Sequence, residues 1–264
     1  MKGRISGCKP DVPDGRDLRY RADYLKISRL GQLLRSFVLP DKVDLREEAN
    51  VPVLDQGNIG SCVDNALVTC MGHVAADQGC GTPLYSRLFA YGNARGWTPS
   101  DDGSTLRDAI KGVDRFGIPL EAMWPYDTAR WQERPPQEVW DAALHRHEIG
   151  YYRLLTHESM LMSLARDRKP FLFGAAIFDS FHPDADHAIP MPKPGDRSWG
   201  GHAMTVMGYD KARQAFLVRN SWGTGWGDEG HCWMPFAYLH PPDTLVYQIG
   251  GLFYDAWTIR AVTA

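Results

Sequence analysis

The sequence predicts an α+β fold, with helices in its first half and a sheet in its second. Two observations predict it. Leu67, Val68, Met71, Val74 and Ala75 recur at spacings of three and four, the period of a packed helix. From Tyr151 onward the period shifts towards short apolar and β-rich runs bounded by turn residues, at Phe171 to Phe178, His202 to Tyr209, Gln214 to Asn220, Gly230 to Met234 and Phe253 to Arg260. At 264 residues the chain is long enough for one two-lobed domain with a sizeable core. Its 44% hydrophobic and 23% charged content is that of an ordinary globular protein. A net charge of −3 leaves no electrostatic footprint for nucleic acid or an anionic membrane. No apolar run approaches the ~18 residues of a membrane span.

Residues 1–38 are charged and irregular. Prolines and acidic turn residues interrupt Pro10-Asp11-Val12-Pro13-Asp14-Gly15-Arg16-Asp17, so it forms neither a strand nor a long helix. Tyr24 to Phe37 could form one short helix or strand. The segment reads either as an arm packed permanently on the body, the reading favoured here, or as a short pro-segment across a cleft. Met1 to Asp17 lacks the apolar core of a secretory signal.

The body is expected to run over residues 39–264. Its first helix starts at Cys62 with Ser61 as N-cap, and Gly79 and Gly81 end it. Pro83 to Trp97 reads as a second helix. Ser104 is expected to cap a third, with the stripe Leu106, Ile110 and Val113, ended by Gly117. Glu138 to His147 and Ser159 to Arg168 read as two more. Phe171 to Phe178 is apolar throughout, as for a strand buried on both faces. Residues 179–201 form a long loop with four prolines, Pro183, Pro190, Pro192 and Pro194.

Three separated blocks carry chemistry. The first is Gln56-Gly57-Asn58-Ile59-Gly60-Ser61-Cys62, a side-chain amide and a thiol joined by glycines that permit a tight turn. A thiol in a first helical turn feels the positive end of the helix dipole, which predicts a lowered pKa. The second is Gly200-Gly201-His202-Ala203-Met204, and the third is Arg219-Asn220-Ser221-Trp222-Gly223. Together the blocks resemble the papain-like cysteine peptidases, in a bacterial-type form with a short N-terminal segment. His202 follows Cys62 by about 140 positions, inside the ~130–150 of that arrangement, and Asn220 by about 160, slightly beyond it.

The resemblance implies a helical left lobe over 39–130 carrying Cys62, an antiparallel sheet or barrel lobe over 131–264 carrying His202 and Asn220, and an active-site cleft between them. Leu39-Pro40-Asp41-Lys42-Val43-Asp44 resembles the family's mature start, and Trp124-Pro125-Tyr126-Asp127 its crossover between lobes. It also implies roles. Cys62 would be the nucleophile, His202 its acid–base partner and Asn220 the group that fixes the imidazole. The Gln56 amide and the Cys62 N–H would hold the oxyanion, and Trp222 would cover the histidine–asparagine bond. Gly103, Ser104, Gly174, Gly201 and Ala203 fall where the family contacts an extended peptide.

Two departures stand out. Val63 replaces the aromatic that usually follows the nucleophile, and Ile59 the cysteine that extracellular members pair in a disulfide. That loss favours a reducing, cytoplasmic location, and export by a signal-free route remains compatible with the sequence. Cys70 and Cys80 read as small buried residues. Cys70 with His73 lacks a second pair for zinc, and His147-Glu148 lacks the second histidine of a zinc-protease helix. His145 and His157 read as solvated. The expectation is a monomeric enzyme without cofactor or metal, acting on a peptide or protein and open to self-inhibition by its N-terminal segment.

Acyl transfer to an amine is a rival reading within enzymes, and a non-catalytic peptide-binding protein is a rival outside them. Gln56→Ala is expected to lower turnover ~100–1000-fold with little change in KM, because the amide would act only on the transition state. Steady-state kinetics check it, and unchanged turnover would remove Gln56 from the mechanism.

Overall fold

The structure is a computed structural model and describes residues 7–20, 39–239 and 252–263. The expected element at Tyr24 to Phe37 lies outside the described residues. In chain order the strands are β1 (Cys8–Lys9), β2 (Lys42–Asp44), β3 (Ser104–Thr105), β4 (Ile149–Leu154), β5 (Phe171–Phe178), β6 (Ser198–Asp210), β7 (Ala215–Arg219), β8 (His231–Pro235) and β9 (Phe253–Val262). The helices are α1 (Cys62–Asp77), α2 (Arg87–Ala94), α3 (Leu106–Phe116), α4 (Gln137–Ala143) and α5 (His157–Ala165).

The helical lobe is organised on α1. Every residue from Cys62 to Ala75 is buried, so the helix is enclosed all round, where its spacing alone predicted one buried stripe. It packs on α2 and α3 on one side and on β5, β6 and β9 on the other. Its polar residues survive burial partly through local bonds. Thr69 Oγ1 donates to the Asn65 carbonyl at 2.8 Å and Asn65 Nδ2 to the Ser61 carbonyl at 2.9 Å. Gln78 caps the end and Gly79 follows at φ 78°. The cap of α3 is Thr105 and not the expected Ser104: the Thr105 hydroxyl accepts the Asp108 N–H at 3.0 Å. Ser104 is instead held in strand pairing with Cys8.

The second lobe is a seven-stranded antiparallel sheet in the order β4-β9-β5-β6-β7-β8, with β2 also paired to β6. Lys42–Asp44 therefore joins the sheet, although its position in the sequence grouped it with the helices. β6 begins at Ser198, inside the stretch read as a loop. On β5, which is buried at every position, Phe171 and Phe173 enter the core beside α5, while Leu172 faces the core shared with α1. One sheet thus serves two cores, because successive side chains point to opposite faces. His157 is no solvated residue: its ring packs edge-on against Phe216 and Phe236 at 5.7 and 4.5 Å. No helix among the described residues is long and apolar enough to cross a membrane.

α3 ends at Gly117, with φ 71° and a hypothetical Cβ only 1.9 Å from the Ala143 carbonyl oxygen. Gly117→Ala is expected to cost more than ~1 kcal/mol in urea unfolding, since it adds both backbone strain and a clash. Gly225→Ala, with open space around it, is expected to stay within ~0.5 kcal/mol.

Candidate active site

Cys62 opens α1 and is fully buried. Ser61 stands at the N-cap position but makes no side-chain cap. Its hydroxyl instead bonds the Tyr126 hydroxyl at 2.5 Å, and Tyr126 in turn donates to the Gln56 carbonyl at 2.8 Å. The Arg87 guanidinium lies 3.7 Å over the Tyr126 ring and donates to the Asp55 carbonyl and Asn65 Oδ1, each at 3.1 Å. Glu121 balances its charge at 2.6 Å. This buried cluster fixes the loop that leads into the cysteine. Sequence reasoning missed Arg87 and gave Tyr126 only a crossover role, because neither belongs to a spaced motif.

Gln56 is buried, and the roles of its two amide ends are set. The Ser221 hydroxyl donates to Oε1 at 2.8 Å, while Nε2 donates to the Ile59 carbonyl at 3.0 Å. The amide nitrogen therefore faces the loop that ends at Cys62. Ser221 was not singled out from the sequence, and its place beside Asn220 was the available signal.

His202 lies on β6, and its Nε2 is 2.7 Å from Asn220 Oδ1. The same oxygen accepts the Ser221 N–H at 2.8 Å, which fixes the asparagine amide and makes Nε2 the donor. Proton exchange with a thiol would then run through Nδ1. The Trp222 ring stacks on the imidazole, with centroids 4.8 Å apart and planes inclined by 30°. Phe181 and Trp226 back that tryptophan. Next to His202, the Ala203 backbone lies near enough to Cys62 to lower the thiol's pKa, so β6 runs close to the leading turn of α1. A tie lies one turn on, where Thr205 Oγ1 donates to the Ala66 carbonyl at 3.2 Å.

The expected peptide-contacting residues border the same place, and the N-terminal arm runs among them. β1 pairs in parallel with β3, and the Ser104 N–H donates to the Gly7 carbonyl at 2.8 Å. The Gly7 backbone lies near enough to Cys62 to lower the thiol's pKa. The contact is close enough to demand glycine: a Cβ at Gly7 would lie 2.0 Å from the Gly60 carbonyl oxygen, and one at Gly103 1.7 Å from the Gly7 carbonyl oxygen. Across the cleft, a Cβ at Gly201 would meet the Cys8 carbonyl and the Tyr254 hydroxyl at 2.1 Å each. Gly174 pairs with Ala203 across β5 and β6, and the Tyr254 ring covers it.

Burial dominates the electrostatics. Enclosure pushes the Cys62 thiol up to about 11, against smaller opposing effects of the Ala203 and Gly7 N–H groups and a further upward push from Asp64. The lowered value expected from the helix dipole is therefore overridden while the arm covers the sulfur. Asp64 itself is fully buried and its carboxyl is raised well above the usual range by desolvation. Cys70 is buried as expected, whereas Cys80 is exposed. Burial pushes His73 down to about 4, and among the described residues no group of three or more His, Cys, Asp or Glu could hold a metal.

The family model described as Papain family cysteine protease matches residues 39–237. An uncharacterized peptidase C1-like protein of Acanthamoeba polyphaga mimivirus is 29% identical over 98% of this chain and 88% of its own. The crystal structure of Xylellain, a cysteine protease from Xylella fastidiosa, superposes with a TM-score of 0.82 at 29% identity, covering 98% and 97% of the two chains. Digestive procathepsin L 3 of Tenebrio molitor shares the fold at 19% identity and a TM-score of 0.68, over 98% of this chain and 76% of its own.

A raised thiol pKa favours the buried neutral form. That contribution is complete below about pH 9, the unperturbed value, and is lost as the pH rises through about 11. With the arm in place, iodoacetamide is expected to modify Cys62 more slowly than Cys80 at pH 7, with the gap closing towards pH 11. Peptide mapping after timed alkylation checks it.

Proposed function

The chain belongs to the papain family of cysteine proteases and is a cysteine peptidase, and on that premise we propose which residues hydrolyse the peptide bond and what holds them idle. Cys62 attacks the scissile carbonyl as a thiolate, transferring its proton to His202 Nδ1. The imidazolium then protonates the leaving amine, and Asn220 holds the ring through Nε2. Gln56 Nε2 and the Cys62 N–H take the developing oxyanion. Water cleaves the resulting thioester with His202 as base. One observation carries this assignment: His202 Nε2 stands 2.7 Å from Asn220 Oδ1, on the strand that packs against the helix Cys62 opens. Burial of the whole set, with Trp222 over the imidazole, supports the reading, because charge pairs are stronger where water is excluded.

In the arrangement described, residues 7–9 occupy the cleft as a self-inhibitor. The Gly7 backbone lies beside the thiol, and its carbonyl is engaged by the Ser104 N–H. A neighbour of the same fold was solved as a proenzyme, procathepsin L 3. Hydrolysis therefore requires the arm to move off the sulfur, after which the dipole and His202 act on a hydrated thiol.

Gly7→Val, which places side-chain atoms against the Gly60 carbonyl, is expected to unseat the arm and raise peptide turnover at least ~10-fold. Adding Cys62→Ala should abolish that turnover. A peptide-library digest by both variants checks it, and adding an amine acceptor separates hydrolysis from ligation. Cleavage that survives Cys62→Ala would overturn the assignment.

A further inference from the structure

The acidic run Pro10 to Asp17 takes no part in bond cleavage, yet two of its three aspartates are deeply engaged. Asp11 is 7% exposed. One of its carboxylate oxygens accepts the Arg107 N–H at 3.0 Å in the first turn of α3, and the other accepts Trp257 Nε1 at 2.8 Å. Asp17 accepts Arg107 Nε at 2.9 Å and Nη2 at 2.5 Å, and Arg153 Nη1 at 2.9 Å. Arg107 Nη1 also donates to the Val12 carbonyl at 2.5 Å. Both guanidiniums flank the Trp257 ring, 5.7 and 5.6 Å from its centroid. Asp255 provides the fixed counter-charge: it pairs with Arg153 and accepts the Asp11 N–H at 2.6 Å. Asp14 differs, bonding Arg16 in an exposed turn with Lys111 3.9 Å away.

The body thus supplies a main-chain donor, an indole donor and two guanidiniums, converging on carboxylates that belong to the arm. When the arm leaves, two arginines remain with one aspartate, and such partly buried cations are costly unpaired. Asp11 lies about four residues beyond Gly7, the residue at the sulfur, or ~13 Å of extended chain. A peptide seated at Cys62 can therefore reach with an acidic side chain the donors Asp11 vacates, the Arg107 N–H and Trp257 Nε1, within the field of the Arg107 guanidinium.

We propose that Arg107, Arg153 and Trp257 form a carboxylate-recognition site contiguous with the cleft, filled in cis by Asp11 and Asp17 and, once the arm is displaced, by the acidic residues of peptide substrates. The substrate class is peptides carrying aspartate or glutamate about four residues from the scissile bond. The site rests on the reading of the arm as a self-inhibitor and gives it a chemical basis: the arm holds its place by imitating the charge of what it excludes.

The test uses the full chain with Asp11→Asn and Asp17→Asn, which vacates the site while leaving its donors intact. Alkylation of Cys62 at pH 7 should quicken, as it should in Gly7→Val. A peptide-library digest by the double variant should enrich acidic residues about four positions from the cleaved bond. Adding Arg107→Gln, or Arg153→Gln should the first fold poorly, should lower kcat/KM for acidic relative to neutral peptides about tenfold. Absence of acidic enrichment, or enrichment indifferent to both arginine substitutions, overturns the site. If Gly7→Val frees Cys62 and the double variant does not, the carboxylates do not hold the arm; the site falls while self-inhibition stands. If neither variant frees Cys62, both fall.

Discussion

The leading turn of α1 lies against β6, and the rest of the structure depends on that seam. A thiol and an imidazole far apart in sequence are useful only if one helix end and one strand hold a fixed relation. One bond from β6 to α1 fixes it, the Thr205 hydroxyl to the Ala66 carbonyl, and the Ala203 backbone lies near enough to Cys62 to act on its thiol. The core shared by α1, β5, β6 and β9 clamps the same relation from below, with Leu67, Leu172, Ala203 and Trp257 fully buried. A helix enclosed on all sides cannot rotate to satisfy one neighbour without offending another. That accounts for a helix buried throughout its first four turns, when its sequence showed only a stripe.

The seam is dry, and dryness acts in two directions. It strengthens the Asn220–His202 pairing and the orientation of Gln56 by Ser221. It also holds the thiol neutral as long as the arm lies over it.

Much of the site was legible in the sequence because its chemistry is concentrated in short blocks. Cys62, His202, Asn220 and Gln56 each sit in such a block, and hydrogen bonds through Ser221 link the last three. The expected contact residues Gly103, Ser104, Gly174 and Gly201 also border the cleft, and Trp222 covers the imidazole. What escaped was whatever depends on partners remote in sequence. Thr105 took the cap from Ser104 because Ser104 was needed to pair with the arm. Lys42–Asp44 reads as a short polar stretch, and only its antiparallel pairing with β6 makes it a strand. Asp11 and Asp17 looked like turn residues, since nothing in their own surroundings announces two arginines and an indole. A dipole argument for Cys62 likewise sees the helix but not the lid of peptide above it.

Cys80 offers a practical consequence. It is the exposed member of the cysteines and follows the far end of the helix that Cys62 begins, so roughly 24 Å of rigid backbone separates the two sulfurs' elements. A fluorophore or a surface tether attached there would sit at the opposite pole of α1 from the reaction. The fold therefore carries its own attachment point, from which departure of the arm could be followed optically in single molecules.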